Sequence, residues 1–593
     1  MLEQEKTTKQ ILEEREEELK RERIPLYSPE ALKVIEEELG KWKKTRFRED
    51  QLRNWELVTS NVLGSEIPKK LLYTPVDASE LDYVKDIGFS GQEPFTRGIH
   101  PNMYRGRFAT LRPLGGGGVS AGHTEDQNTR FKVQIENGAT GLNVAYADLS
   151  LLQLCGSDDP RMEGQVGLIA YPIDSVDDTH IAFKDIPIDK ISASYIGHYP
   201  TNCTVGFAQY LVMAEERGIP WDKLPSSMQN DVVMENAVRA GMDYLPTKDV
   251  FRIQCDNAEF VRKNVPQCNF VTLNGYNLRE FGTSGVTEIA VAFANAIDML
   301  KEFQRRGLDP GWMAERIAFF WSIGNDFFDE VARLRAARRL WYKIIKYQFG
   351  SNNPRAMWSR MAAQTSGVAL RREEPYNNIA RAALQSLACI LGGVQSFHTD
   401  SYDEAYSHPT AIASLIALRT QEIIECEAGV REVVDPLGGS FYIEALTNEY
   451  ERKILDELDE IQHQGGIVAI IESGWLRRKV VEFLNREQKL IEDGKIKIVG
   501  YNCYKTDEKL PGIEEVKYAE GVREKQLEKI KKLKDMRDNE KVREALDELI
   551  KACRNGGNVM EYCVKAARVR ATTQETFGAI KEAFGLWKPP LSY

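Results

Sequence analysis

Three short stretches carry residues whose type and spacing suit chemistry. In HPNMYRGRFATLRP, Arg107 and Arg112 flank Thr110. Two guanidiniums and a hydroxyl on one segment can clamp phosphates, and arginines so placed also make ordinary surface ion pairs. In SSMQNDVVMENAVRAG, Gln229 stands at a strand end and Arg239 follows in the next helical stretch. Turned inward, Arg239 would bind a carboxylate; Glu235, four residues earlier, offers it an i,i+4 pair instead. In VTLNGYNLRE, a buried-strand pattern ends at Gly275, and Tyr276 and Asn277 then stand side by side, followed by Glu280.

Other chemistries lack their signatures. There is no H-E-x-x-H, G-x-x-x-x-G-K-[ST] or G-x-S-x-G. The glycine run in LGGGGVSAG (114–122) matches no phosphate-loop spacing and reads as a loop. The seven histidines show no metal-ligand spacing, and His398 reads as a hydrogen-bonded core residue.

The elements that must hold these residues alternate. Strand-like runs occur at 140–147, 166–171, 190–196, 226–231, 269–275, 315–324, 360–367 and 393–399, with helical stretches such as 283–307 and 326–350 between them. Alternation of this kind predicts βαβ units and a parallel sheet. About eight units predict a (β/α)8 TIM barrel of class α/β, with a doubly wound open sheet as the alternative. Barrel strands usually fill their interior with Val, Ile and Leu. These carry Ser192, Ser194, Thr272, Asn274, Ser322, Gln364, Thr365 and Ser366. Such groups either satisfy one another or line a wettable channel for a long polar ligand.

The expected organisation is a charged N-terminal arm or subunit contact (1–85), a catalytic barrel (86–425), and a C-terminal linker with a helical region (426–593). Residues 1–50 read as a solvated helix or as an arm on a partner subunit. VVDPLGGSFYIE (433–444) reads as a loop leading into a short strand, and 523–557 as helix broken near 537–539.

A net charge of −11 over 593 residues argues against broad nucleic-acid binding. Nine scattered cysteines without a C-x-x-C pair predict reduced thiols in a cytoplasmic protein. No run has the ~20 apolar residues of a membrane helix.

Taken in order, EPFTRGIHPNMYRGRFATLRP, QND with Arg239, NGYNLRE, FFWSIGNDFFDEVARLRAARRLW, QTSG, PYNNIARAALQSLACILGGVQSFHTDSYDEA and VVDPLGGSFYIE resemble the catalytic large subunit of methylmalonyl-CoA mutase, an adenosylcobalamin-dependent acyl-CoA mutase. The resemblance covers roughly residues 50–593. It implies a barrel threaded by coenzyme A, with Arg107, Thr110, Arg112, Asn269 and Arg316 as coenzyme A contacts. Gln229 matches a residue near the thioester carbonyl, Arg239 the arginine on the substrate carboxylate, and Tyr276 the tyrosine beside the substrate. Glu280, Gly367 and Gln385 match contacts to the cobalamin or its adenosyl group, although the usual residue at 385 is glutamate.

Two departures bear on the substrate. Asn277 stands where those enzymes have a histidine that donates to the thioester oxygen; Asn donates but carries no proton. Leu114 and the glycines stand where an aromatic ring covers the substrate. Together with Arg239 they imply a dicarboxylic acyl-CoA bulkier than methylmalonyl-CoA, such as an alkylsuccinyl-CoA. Methylmalonyl-CoA itself and a non-catalytic CoA-binding subunit are the alternatives, and a non-radical barrel lyase lacks an acid–base pair. The family's cobalt-ligating D-x-H-x-x-G is not found, and QHQGG at His463 lacks its Asp. A cobalamin-binding domain is therefore expected to be absent, with a separate small cobalamin subunit as partner in a homo- or hetero-oligomer.

Overall fold

The computed structural model describes residues 5–20, 23–46, 67–111, 122–136, 139, 141–145, 154–168, 170–197, 199–238, 244–406, 409–506 and 519–590. Nine parallel strand segments are present among them: β1 (Thr110–Leu111), β2 (Gly141–Ala145), β3 (Ser192–Ile196), β4 (Ser226–Met228), β5 (Cys268–Asn269), β6 (Val271–Asn274), β7 (Ile317–Ile323), β8 (Arg360–Thr365) and β9 (Ser396–His398). They form two sheets, β2-β3-β4-β5 and β6-β7-β8-β9-β1. β5 and β6 are one run of chain interrupted at Phe270. Phe270 and Val271 are both fully buried, so the alternation restarts there, in the manner of a bulge. The Thr272 N–H donates to Gln229 O (3.2 Å) and carries pairing across the junction. No pairing of β1 with β2 is present among the described residues. The molecule is thus a mixed α/β structure of parallel strands with a helix after each.

Along the strands, side chains alternate between two environments. Val144, Tyr195, Leu273, Phe319, Trp321 and Phe397 are buried under helices. Phe319 stacks on Trp321 with centroids 5.3 Å apart, and each such ring contributes on the order of 2–3 kcal/mol by burial. The opposite face stays partly accessible at Asn143, Ser194, Ser227, Asn269, Thr272 and Ala362. Register aligns these positions. Thr110, Ser396, Ala362, Phe320 and Asn274 form one rung, and Asn143, Ser194, Ser227 and Asn269 another. Parallel sheets usually bury both faces with aliphatic residues. Here one face is small, polar and open.

Three expectations change. VGLIAY (166–171) is no strand. Gly167 adopts φ +81°, its carbonyl accepts the Gly122 N–H (2.9 Å), and Val166 joins a separate cluster with Cys155, Met162 and Val522. The first strand is instead Thr110–Leu111, too short to show a period in the sequence. SFYIE is no strand either: Ser440 leads into the helix Phe441–His463, which packs on Gly285–Arg305 and Phe327–Lys343. The N-terminal helix Thr8–Lys20 is not a free solvated helix. Leu12 is buried, and Thr8 binds Gln462 (2.7 Å) and Gln348 (2.9 Å) of the same chain. The break near 537–539 does separate Val522–Met536 from Asn539–Asn555. No helix among the described residues is long and apolar enough to cross a membrane.

Candidate active site

At the C-terminal end of β6, the Asn274 side chain accepts the Asn277 N–H (3.0 Å) and starts the short helix Gly275–Glu280. Only glycine fits at 275, because a Cβ would lie 2.6 Å from Glu288 Cγ and 2.8 Å from the Trp321 ring. The helix carries Tyr276, Asn277 and Glu280 over the open face, all half-buried. The Tyr276 ring packs on Phe320 (centroids 5.2 Å), and its hydroxyl accepts from Gln364 Nε2 (2.8 Å). Gln364 also donates to Asp400 (2.8 Å), which His398 approaches at 3.2 Å. His398 is therefore hydrogen-bonded, but on the accessible face and not in the core.

Glu280 accepts from Ser322 (2.7 Å), Ser366 (2.8 Å) and the Val368 N–H (2.8 Å). Burial still outweighs these donors and pushes its carboxyl up to about 7. Glu404 stands open at the same mouth. Desolvation in the cleft and the nearby Asp400, Asp403 and Glu280 push it up to about 8. Gly367 lies between them: a Cβ there would sit 3.5 Å from Glu280, 3.7 Å from the Tyr276 hydroxyl and 3.8 Å from Glu404. A buried four-charge cluster fixes the base of this mouth. Arg279 pairs with Glu330 (2.9 Å), Arg333 with Glu288 (2.8 Å), and Glu288 accepts the Ser322 N–H (2.8 Å).

Gln229 follows β4 on the same face, 8% exposed. The next two residues anchor it. Asn230, at φ +43°, donates to Gln254 O (3.0 Å) and Phe270 O (3.1 Å). Asp231 accepts the Asn274 N–H (2.6 Å). The side-chain oxygen of Gln229 has no partner among the described residues.

The opposite ends of the strands are basic. Arg107 is exposed ahead of β1, Arg316 is half-buried ahead of β7, and Arg360 opens β8. None of the three forms a salt bridge among the described residues. Burial and then Arg316, with Arg355 and Arg262 adding, push the Arg360 guanidinium down to about 10. Burial, Arg360 and Arg107 lower His100. Thr110 and Asn269 line the open face just beyond.

The structure thus gathers Tyr276, Asn277, Glu280, Gly367 and Gln229 at one end, and Arg107, Thr110, Asn269 and Arg316 at the other. Gln385 is the exception. It is fully buried on the helix Asn377–Leu391 and donates to Asn325 (2.7 Å), and its side-chain oxygen has no partner among the described residues. Arg112, Leu114 and Arg239 lie outside the described residues. The sequence reading missed Arg360, Glu404 and the contact of Gln364 with Tyr276. Arg360 opens a strand whose inward positions were already suspected, and Glu404 stands in the quoted HTDSYDEA.

The family profile described as methylmalonyl-CoA mutase matches residues 63–586. The chain belongs to the methylmalonyl-CoA mutase family. It is 35% identical over 524 residues to the 2-hydroxyisobutanoyl-CoA mutase large subunit of Aquincola tertiaricarbonis, covering 88% of this chain and 92% of that one. It is 36% identical over 554 residues to the methylmalonyl-CoA mutase of Rhizobium meliloti (93% and 76%). It is 34% identical over 574 residues to the mitochondrial enzyme of Mus musculus (94% and 75%). Members of this family so named are mutases, isomerases that move a group within one molecule, and this chain is one of that enzyme class.

Proposed function

We propose that this chain is the catalytic large subunit of an adenosylcobalamin-dependent mutase that rearranges the carbon skeleton of a dicarboxylic acyl-CoA bulkier than methylmalonyl-CoA. The observation that carries the reading is the open polar face, with arginines that form no salt bridge among the described residues at one end and Tyr276, Glu280 and Gly367 at the other. In this reading the strands close into a (β/α)8 barrel over 86–425, and β1 beside β9 supports closure. The arm (1–85) and helical region (426–593) buttress it.

Coenzyme A enters at the basic end. Arg107, Arg112, Arg316 and Arg360 meet its phosphates, while Thr110 and Asn269 bind along the carrier. Arg107, Arg316 and Arg360, which form no salt bridge among the described residues, suit phosphate oxygens. The acyl end reaches Gln229, Tyr276 and Asn277, and Arg239 holds the free carboxylate. Leu114 and the glycine run leave room for a longer branch.

The donor set at the mouth fits a nucleoside. Glu280 and Glu404, both raised to near neutrality or above, donate as well as accept, the Asp400 oxygen without a partner among the described residues accepts, and Gly367 leaves space for a sugar. Glu280, Gly367 and Glu404 would hold the adenosyl group, with Gln385 left to packing. When bound, the cofactor supplies the organic radical that removes a substrate hydrogen. This chain's residues seat the substrate, orient its thioester and keep water from the reacting carbons. The cobalt ligand comes from a separate small subunit, a reading supported by the name "large subunit" of the Aquincola relative. Nine free cysteines suit a reducing cytoplasm.

A hydroxylated acyl-CoA is the second reading, favoured by that same relative. Reconstitution with adenosylcobalamin, a small cobalamin-binding chain and a panel of branched acyl-CoA thioesters, read by product mass and NMR, decides between them. Full turnover of methylmalonyl-CoA with no gain from a longer chain would refute the bulkier substrate.

A further inference from the structure

Asn274 has a task that capping alone does not explain. Its side-chain oxygen accepts the Asn277 N–H at 3.0 Å. That bond settles which way the amide faces: the oxygen is committed to the cap, so the NH2 is the free end. This Nδ2 is buried and has no partner among the described residues, on a residue only 2% exposed. The backbone behind it cannot turn away, since its N–H is held by Asp231 at 2.6 Å. Asp231 is itself fixed by the Val233 N–H (2.9 Å) and Asn295 (2.8 Å).

Alternation places Asn274 on the open face, in register with the half-buried Phe320. Across the adjoining strand stands Gln229, whose side-chain oxygen is also unpartnered. Two amides, each with a side-chain atom lacking a partner among the described residues, therefore stand on adjoining strands below the Tyr276 helix. Native proteins seldom leave such groups unpaired, and a fixed donor left open calls for an acceptor oxygen.

We infer that the Asn274 side-chain N–H donates to the thioester carbonyl oxygen of the bound acyl-CoA. The assignment rests on the acyl-CoA reading above and deepens it. A carrier entering from the arginines presents its thioester at this height, one step below Tyr276. That oxygen only accepts. Gln229, whose side-chain oxygen has no partner among the described residues, turns its own NH2 to the same atom. Asn274 is thus a substrate-positioning residue that sets where the thioester lies against Tyr276 and Asn277.

The test compares two ligands that differ by one oxygen, succinyl-CoA and its thioether analogue S-(3-carboxypropyl)-CoA, titrated calorimetrically into the full chain. Asn274→Ser keeps a capping oxygen and removes the NH2. The expected result is about tenfold weaker binding of succinyl-CoA, unchanged binding of the thioether, and a thermal midpoint close to that of the unmodified chain. Asn274→Asp, which keeps both shape and cap, repeats the selective loss if the serine variant folds poorly. Equal weakening of both ligands, or no weakening of either, overturns the assignment; a water molecule bridging the two amides would give that result. Failure of the unmodified chain to bind either ligand would overturn the acyl-CoA reading and this assignment together.

Discussion

The two ends of the parallel strands solve opposite electrostatic problems. At the N-terminal ends, Arg107, Arg316 and Arg360 gather without a salt bridge among the described residues, and burial, then Arg316 beside it, lowers Arg360. At the C-terminal ends, Glu280 and Glu404 gather at one mouth; burial raises Glu280, and desolvation in the cleft with the neighbouring carboxylates raises Glu404. Just below the second cluster, Arg279, Arg333, Glu288 and Glu330 show a fully compensated arrangement, every charge buried and paired. The contrast teaches where the chain completes its own electrostatics and where it leaves them open. A structural ion cluster closes on itself; the two strand ends do not, and the accessible polar face runs between them.

The hardest blow to this contrast is to fill the space between the ends. Ala362→Leu with Ser194→Leu places hydrocarbon on two opposed rungs. Binding of a CoA ester should fall roughly a hundredfold, while thermal stability stays close to that of the unmodified chain, the added apolar burial offsetting the loss of the Ser227–Ser194 hydrogen bond. Unchanged binding would mean that the open face is only a packing gap. Next comes one end alone. Arg316→Ala should raise KM about thirtyfold for a CoA ester and leave a pantetheine ester, which lacks the nucleotide, unaffected. The other end is probed by Gly367→Val. Its branches enter the space beside Glu280 and Tyr276, so turnover should drop about tenfold while CoA-ester affinity in calorimetry stays put.

Proton linkage separates the ends without touching the ligand. Glu280 holds its proton to about 7 in the folded chain, above the ordinary 4.5 of an unfolded glutamate. The folded state therefore binds more protons between those values, and stability falls as pH rises through that window. Glu280→Gln should flatten the decline of the thermal midpoint from pH 5 to pH 7. An unchanged slope would show that Glu280 ionises normally. The smallest effect belongs to the middle of the face. Ser227 donates to Ser194 at 3.0 Å, so Ser227→Ala should change stability by less than about 0.5 kcal/mol and ligand affinity by less than about threefold.

Much of the framework was legible as periodicity. Strands such as 317–323 and 360–365 alternate or run apolar over enough residues to declare themselves, and the long helices carry clear stripes. Thr110–Leu111 was not legible, because a two-residue strand exists only through its ladder to Ser396–Phe397. Val166–Tyr171 misled for the opposite reason. Val166 packs against Val522, more than three hundred positions away, and Gly167 turns the chain just after it.

The sequence by itself determined which residues had unusual chemistry: small polar groups within strands, arginines in an acidic chain, an aromatic and an amide after a glycine. Side-chain type and order settle that much, as they settle membership of the family. Only the tertiary structure decided who meets whom. It set Gln385 inside a helix pack, brought Arg360 beside Arg316 and Glu404 beside Glu280, and turned the Asn274 amide so that its nitrogen is left free. Those pairings join residues tens to hundreds of positions apart. They depend on strand register and on what is buried, and local sequence encodes neither.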